Sequence, residues 1–214
     1  MQNINKTIDF YNINAVTYFN NTVEADMSEA YKRFIKYMKP NGVIVDIGAG
    51  SGRDIKYFTE AGFKVHGIEA SKELCRLSTE YTGIFVKCQK IQDWNPNMQY
   101  DGVWANASLI HLQKTEVRDF INRLSNVLSE EGIIYISFKE DIEEGFDEKG
   151  RYFNGMKIKD ILFLLSKGGK YSIIENWISE DALFRQNVRW RNIICRNIES
   201  TNIENETKVT YQMI

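Results

Sequence analysis

VIVDIGAGSGRD, residues 43–54, is the stretch that decides the fold of this 214-residue chain. Residues 43–47 are apolar and β-branched apart from one aspartate, a run typical of a strand buried on both faces of a sheet. Glycines follow at alternate positions, and a helix is expected to begin near Arg53. Because glycine carries no Cβ, Gly48 and Gly50 let the backbone turn tightly and approach a ligand. The stretch therefore predicts a strand–loop–helix unit whose loop binds a ligand.

Three classes of nucleotide-binding loop could account for these glycines. A P-loop ends in Gly-Lys-Ser/Thr, whereas Gly52 is followed by Arg53 and Asp54. A dinucleotide-binding loop reads G-x-G-x-x-G, and here Arg53 stands at its third glycine. The carboxylate of Asp54 would also oppose a pyrophosphate at the start of the helix. In a third class, an acidic residue before the glycines faces the ammonium of an amino-acid moiety. Asp46 occupies that position, which favours the third class.

A second acidic residue, Glu69, ends the next predicted strand, residues 64–68. It is expected at the carboxyl edge of the sheet, where ligands bind in open α/β folds. A carboxylate there can accept hydrogen bonds from both hydroxyls of a ribose. Alternatively, Glu69 only favours the start of the following helix, as acidic residues commonly do. Its pairing with the glycine loop upstream favours the ribose contact.

The remaining sequence alternates predicted strands with predicted helices. This alternation predicts a parallel sheet with helices on both faces. Two later runs, residues 171–178 and 188–196, predict an antiparallel pair at one end of the sheet. The predicted fold is α/β, a doubly wound, mostly parallel seven-stranded sheet with one antiparallel strand. The other predicted strands are residues 84–88, 100–105 and 132–138. Helices are predicted at residues 24–38, 53–61, 115–128 and 157–167. One more helix is predicted to begin after its N-cap Ser71 and to run to Tyr81.

Composition excludes several classes of protein. Hydrophobic residues make up 43% of the chain and charged residues 26%, the balance of a globular protein. A net charge of −2 makes a nucleic-acid partner unlikely. The 3 cysteines and 2 histidines form no clustered motif, so neither a disulfide framework nor a metal site is expected. The sequence shows no signal peptide and no apolar run long enough to span a membrane, and a cytoplasmic location is expected. The oligomeric state is left open.

The sequence resembles the class I S-adenosylmethionine (SAM)-dependent methyltransferases. Residues 46–54 match their first motif, and Glu69 matches their second acidic motif. It is closer still to a subgroup of small bacterial methyltransferase-domain proteins. The shared segments are GSGRD at 50–54, YDGVWANASLIH at 100–111, SFK at 137–139 and GRYF at 150–153. The likeness spans about residues 7–196 of the sequence.

The resemblance implies a Rossmann-like methyltransferase fold at residues 41–198, with SAM as cofactor and S-adenosylhomocysteine (SAH) as product. Residues 1–40 would form an N-terminal capping segment and helix, in which Tyr11 and Tyr18 close over the methionine end of SAM unless they are ordinary packing aromatics. Residues 199–214 would form a polar C-terminal tail. Many relatives carry an aspartate near the adenine, but this chain has Gln89 there, which leaves residues 89–93 open as the adenine contact. The implied cofactor-binding residues are Tyr18, Asp46, Gly48, Ala49, Gly50, Arg53, Asp54, Glu69, Ala70, Ser71, Gln92, Asp93 and Asn106.

Asn106 follows the fourth predicted strand, where the resemblance places the reacting methyl group. The Pro-Pro-Tyr element of nucleic-acid and glutamine amino-methyltransferases is missing there, and no cysteine follows a proline as cytosine-C5 chemistry would require. A small-molecule acceptor is therefore predicted, with Asn106, His111 and Arg151 as candidate catalytic residues. Asn106 would orient the acceptor, His111 would take its proton, and Arg151 would pair with an anionic group.

Alternatives stay open for the acceptor site and for the activity. Taken alone, His111 at a helix start favours structural packing over catalysis, and Lys139 suits equally an anionic acceptor or the acidic residues that follow it. A SAM-binding regulatory or scaffold protein without turnover is the main alternative to a methyltransferase. A protein or nucleic-acid methyltransferase and a nucleotide-dependent dehydrogenase are weaker alternatives.

Overall fold

The chain is described by a computed structural model over residues 2–167 and 170–198, with side chains from residue 5 onward. The predicted tail at 199–214 lies outside the described residues. The strands are β1 (Val43–Ile47), β2 (Lys64–Glu69), β3 (Val86–Cys88), β4 (Tyr100–Ala105), β5 (Leu128–Lys139), β6 (Gly145–Phe146), β7 (Tyr152–Phe153), β8 (Tyr171–Glu180) and β9 (Arg189–Asn197). The α-helices are α1 (Gln2–Ile13), α2 (Ala15–Thr22), α3 (Ser28–Ile35), α4 (Arg53–Glu60), α5 (Lys72–Thr82), α6 (Lys114–Val127) and α7 (Ile158–Ser166).

Seven of these strands form one sheet in the order β3-β2-β1-β4-β5-β9-β8. Strands β1 to β5 pair in parallel, and within the described residues β9 is the strand that runs against its neighbours. The predicted seven-stranded, mostly parallel fold with one reversed strand is thereby confirmed. The strand order reverses direction at β1, between β2 and β4. Ligands bind beside the carboxyl ends of the strands at such a switch point.

Apolar side chains from β1 and β4 are buried on both faces of the sheet. On one face, Trp104 stacks on Tyr135 with ring centroids 3.8 Å apart, in a cluster that includes Phe34 and Phe58. On the other face, β1 and β5 pack against α6, whose Phe120 is 1% exposed. Burying each such side chain contributes about 1.5–3 kcal/mol. The continuous apolar run of β1 is explained by this double burial.

The helix predicted at residues 24–38 is shorter in the structure. The side chain of Asp26 accepts the Ser28 N–H at 2.8 Å, and Met27 has a non-helical backbone with φ −116° and ψ 14°, so α3 begins at Ser28. At its other end, Met38 N–H donates to the Ile35 carbonyl at 3.0 Å, which closes the helix with a tighter turn. The predicted helix was too long at both ends, because these local hydrogen bonds end the helix before the apolar pattern does.

Three elements near the site were not predicted from the sequence. Helices α1 and α2 lie before α3, and the short hairpin β6–β7 follows β5. α1 packs against α5 and β7, and α2 packs against α5, which places both helices over the carboxyl edge of the sheet. Across the described ranges, no helix combines the length and apolar character needed to cross a membrane.

Candidate functional site

The glycine loop between β1 and α4 is tied to the end of β2. The N–H groups of Gly48 and Ala49 donate to the Ile68 carbonyl at 2.9 and 3.0 Å. Gly48 and Gly50 have φ values of +79° and +55°, in the left-handed region that favours glycine. A Cβ added at Gly50 would lie 3.2 Å from the ring of Tyr18. The loop therefore needs glycine both for its conformation and for its close approach to α2.

Glu69 holds the loop and the start of α5 together. Its Oε2 accepts the Gly50 N–H at 3.0 Å, and its Oε1 accepts the Ser71 N–H at 2.8 Å. Burial raises the pKa of Glu69, and these backbone N–H groups oppose the rise. Ser71 caps α5 as predicted, accepting the Leu74 N–H, and its own hydroxyl donates to Asn12 of α1 at 2.8 Å. A carboxylate has about four lone-pair sites, so Glu69 keeps capacity to accept from a ligand beside these backbone N–H groups.

Two cavities meet at this edge of the sheet. The first, of about 90 Å³, is called the Glu69 cavity and is bounded by Ile8, the carboxyl end of β2 and Gln92. The second, of about 150 Å³, is called the Lys139 cavity and is bounded by the end of β5, the β6–β7 hairpin and the loop between β8 and β9. The residues that line both cavities are Tyr11, Tyr18, Gly48, Gly50, Asn106, Ala107 and His111.

The structure brings most of the predicted site residues to these cavities. Asp46 is buried but lines neither cavity, and Asp93 is exposed and also lines neither. Gln89 and Ile91 line the Glu69 cavity, so the adenine contact remains a prediction for these two and Gln92. Of the remaining predicted residues, the Glu69 cavity has Glu69, Ala70, Ser71 and Gln92, the Lys139 cavity has Ala49, Arg53, Asp54 and Arg151, and both have Tyr18, Gly48, Gly50, Asn106 and His111.

Asp54 is surrounded by donors from its own chain. Arg53 Nε donates to it at 2.6 Å and Trp104 Nε1 at 2.7 Å, and the Tyr31 hydroxyl donates as well. Burial by itself would raise the pKa of Asp54, but Arg53 and these hydrogen bonds outweigh it and the pKa is lowered. Asp46 shows the opposite shift, because burial and the charge of Asp54 raise its pKa. The Asp54 carboxylate is thus a structural anion paired with Arg53.

Asn106 is fixed at the junction of the cavities by hydrogen bonds at both ends of its amide. Its Nδ2 donates to Asp54 at 3.3 Å, and its Oδ1 accepts the Ser137 hydroxyl at 2.8 Å. Ser137 also accepts the Ala107 N–H at 2.8 Å, which holds Ala107 at a φ of +54°. Such a backbone conformation persists only where the surroundings enforce it. The β4 end is therefore rigidly placed between the two cavities.

His111 forms a buried pair with Tyr11 of α1. Its Nδ1 lies 2.6 Å from the Tyr152 carbonyl, which can only accept, so Nδ1 carries the proton. In the neutral ring Nε2 is then an acceptor, and the Tyr11 hydroxyl donates to it at 2.9 Å. Burial lowers the pKa of His111 to about 4, and the nearby charge of Arg151 adds to this. His111 is therefore neutral at physiological pH and can receive a proton through Tyr11.

Some residues of the Lys139 cavity were not found from the sequence. Arg151 was predicted to face the cavity, but its partner Asp147, at 2.6 Å, was not. Asp181 and Arg185 line the cavity from the loop after β8, and Trp190 lines it from β9. No motif marks these residues, and the basic run that includes Arg185 is more simply interpreted as a solvated face. Only the spatial approach of this loop to β5 would reveal them.

Comparisons with known proteins agree with this geometry. Residues 44–132 match the family model of a methyltransferase domain. No curated protein sequence matches the chain significantly. Solved structures, however, resemble it over most of its length. The 1,6-didemethyltoxoflavin-N1-methyltransferase of Burkholderia thailandensis, bound to 1,6-didemethyltoxoflavin and SAH, has a TM-score of 0.71 at 19% identity, covering 89% of this chain and 88% of that one.

Two further solved structures have the same fold. The magnesium protoporphyrin IX methyltransferase of Synechocystis, with bound SAM, has a TM-score of 0.66 at 15% identity and covers 92% of this chain and 98% of that one. A SAM-dependent methyltransferase of Methanosarcina mazei has a TM-score of 0.66 at 17% identity, with 78% and 98% covered. At such identities the likeness establishes the Rossmann-like fold.

Proposed function

We propose that this chain, a class I SAM-dependent methyltransferase by its methyltransferase domain and its fold, transfers the sulfonium methyl group of SAM to a small molecule. The observation that carries the proposal is the meeting of the two cavities at Gly48, Gly50 and Asn106. One cavity would hold the cofactor and the other the acceptor. A methyl group at the junction would face both, and holding two reactants in line is the main contribution a protein makes to such a transfer.

The residues of the Glu69 cavity fit SAM chemically. Glu69 has lone pairs left for the ribose hydroxyls, and an added Cβ at Gly50 would fill the approach beside Tyr18. Within the described part of the chain, the amide oxygens of Gln89 and Gln92 are buried without a hydrogen-bond partner, and both residues line this cavity. They suit the amino group of adenine. A contact between Asp46 and the ammonium of SAM stays a prediction.

The cover that two helices form over the junction of the cavities favours a small acceptor. Tyr11 of α1 and Tyr18 of α2 line both cavities, so these helices cover the junction. A lid of this kind encloses a small molecule and excludes water, whereas a polymer substrate needs an open, charged surface. The Burkholderia enzyme, which has the same fold, holds a small molecule.

Tyr11 and His111 supply a route for a proton. When bound, SAM supplies an activated methyl group and leaves as SAH. The N–H or O–H bond of the acceptor breaks as its heteroatom takes the methyl group, and the proton passes to the Tyr11 oxygen. The Tyr11 proton passes at the same time to Nε2 of His111, along the 2.9 Å hydrogen bond. His111 becomes an imidazolium and then releases its proton to solvent.

Replacing Tyr11 by phenylalanine is expected to lower turnover about tenfold to a hundredfold for an acceptor that loses a proton, with SAM affinity unchanged. The loss lies at the low end for general base catalysis, because a histidine with a pKa of about 4 is a weak base.

Wild-type turnover should fall as the pH drops through about 4, where His111 gains a proton. This fall should be absent in His111→Asn. Tyr81→Phe removes a hydroxyl from α5, outside both cavities, and serves as the control. Tyr11→Phe with full turnover at every pH would exclude the proton route.

The acceptor class is tested by methyl transfer from labelled SAM in a cell extract separated into small molecules, protein and nucleic acid. Label is expected mainly in the small-molecule fraction. Label mainly in protein, RNA or DNA would contradict a small acceptor. SAM binding by calorimetry without SAH formation in any fraction would instead indicate a regulatory or scaffold protein.

A further inference from the structure

We propose that the acceptor is an anion and that its charged group, a carboxylate or a phosphate, pairs with Lys139. This inference rests on the proposed function and names the substrate class of the same site. Lys139 ends β5 and lines the Lys139 cavity. It therefore stands on the same strand that positions the reaction centre through Ser137 and Asn106.

The basic side chains of the Lys139 cavity differ in how they are neutralised. Arg53 pairs with Asp54 at 2.6 Å, and Arg151 pairs with Asp147 at 2.6 Å. Arg185 donates to both oxygens of Asp181, at 2.5 and 2.8 Å. Among the described residues, none forms an ion pair or hydrogen bond with the Lys139 ammonium. Its neighbour is the Phe153 ring, whose centroid lies 5.7 Å from Nζ.

The electrostatic surroundings of Lys139 favour an incoming anion. Partial burial and the charges of Arg185 and Arg151 lower the pKa of Lys139, and Asp181 and Asp147 compensate only in part. Glu180 also lines the cavity, but its side chain is exposed to solvent. A cation held among other cations and partly removed from water gains strongly from a negative partner. A bound anion would supply the missing partner.

This assignment changes the role predicted for Arg151. Its guanidinium is bound by Asp147 and packs over Phe10 and Phe153, at 5.2 and 5.3 Å from their ring centroids. Arg151 thus shapes the wall beside the Tyr11–His111 pair and has its own counter-ion. Among the described residues that line the cavity, Lys139 is the cation left for the substrate.

The side chains that line the Lys139 cavity limit the size and shape of the rest of the acceptor. Trp190 is held in place by its Nε1–H, which donates to Asp181 at 2.9 Å, and Phe153 lines the same cavity. Ser137 and Lys139 lie two positions apart on β5, so their side chains leave the same face of the strand, about 7 Å apart at the usual rise. The rings of Phe153 and Trp190 stand in a lining that is otherwise mostly polar, and among the described lining residues Lys139 is the cation without a carboxylate partner. This combination fits a compact organic acid.

The experiment uses the full chain, labelled SAM and the small-molecule fraction of a cell extract. The labelled product is expected to be retained on an anion exchanger at pH 8, and loss of retention after phosphatase treatment would identify a phosphate rather than a carboxylate. Lys139→Met should lower labelling about tenfold to a hundredfold, the effect of losing a charged hydrogen bond. SAM affinity, measured by calorimetry, should stay within twofold of wild type.

Lys149→Met is the matched control, because Lys149 is exposed in the β6–β7 turn and lines neither cavity. Lys139→Arg, which keeps the charge, should restore much of the labelling. A labelled small molecule that the exchanger does not retain would overturn the anionic acceptor and leave the proposed function intact, as would a Lys139→Met protein as active as Lys149→Met. Label confined to macromolecules would overturn both. If Lys139→Met does not fold, the retention of the wild-type product decides alone.

Discussion

Gly50→Val is expected to abolish SAM binding while leaving a folded protein. The substituted side chain would meet the Tyr18 ring, which lies 3.2 Å from the position of a Cβ, and would occupy the space where the loop approaches the cofactor. It would also adopt a φ of +55°, which costs an L-residue about 1–2 kcal/mol. Calorimetric titration with SAM measures the first effect and chemical denaturation the second. The binding loss should exceed a hundredfold.

Gly83→Val separates backbone strain from filling of the site. Gly83 ends α5 with a φ of +71°, and a Cβ added there would meet nothing within 4 Å. The Gly83→Val variant should therefore lose about as much free energy of unfolding as Gly50→Val, about 1–2 kcal/mol, and keep its SAM affinity. Equal SAM affinity in the two variants would show that the glycine loop does not approach the cofactor.

Asp54→Ala is expected to lower the free energy of unfolding by about 3–5 kcal/mol, the cost of leaving a buried cation unpaired. The Arg53 side chain is 18% exposed and that of Asp54 is 8% exposed, so water cannot fully replace the lost carboxylate. Trp104 and Tyr31 would lose their acceptor as well. Urea denaturation at pH 7 measures the change. A loss below about 1 kcal/mol would mean that solvent reaches the pair.

The pH dependence of the same comparison tests the charge of Asp54. Its pKa is lower in the folded protein than in the unfolded chain, so its charge stabilises the fold above the unfolded pKa. That contribution is lost as the pH falls through the lowered value. Asp54→Asn keeps the shape of the side chain without its charge. The stability difference between wild type and Asp54→Asn should therefore shrink as the pH is lowered from 7 towards 3.

Elements with strong local signals were predictable from the sequence. The bounds of β1 and β4 are confirmed to the residue, since a buried strand bounded by glycine or proline turns is marked along the chain itself. The Ser71 cap is likewise local, because its hydroxyl binds an N–H three residues on. By contrast, α1 has a largely polar sequence, and α2 is only eight residues long and has no side-chain cap at Asn14. They are stabilised by packing on α5 and β7, which no local pattern records.

In the candidate site, too, local features were predictable from the sequence and tertiary contacts were not. The glycine loop and Glu69 follow adjacent strands, so their meeting could be anticipated from a parallel sheet. Tyr11 and His111 lie 100 residues apart, and their hydrogen bond depends on how α1 crosses the sheet edge. The pairing of Arg185 with Asp181 depends on the conformation of a single loop. Such contacts arise from the tertiary fold and leave no motif.

The two cavities share walls from the first half of the chain, but they differ in their use of the second half. No described residue beyond Leu112 lines the Glu69 cavity, whereas β5, the β6–β7 hairpin and the loop between β8 and β9 contribute only to the Lys139 cavity. Grafting residues 139–192 from another protein of this fold would replace these parts of the Lys139 cavity and leave the glycine loop untouched. Under the proposed function, such a graft would change the choice of acceptor without rebuilding the glycine loop.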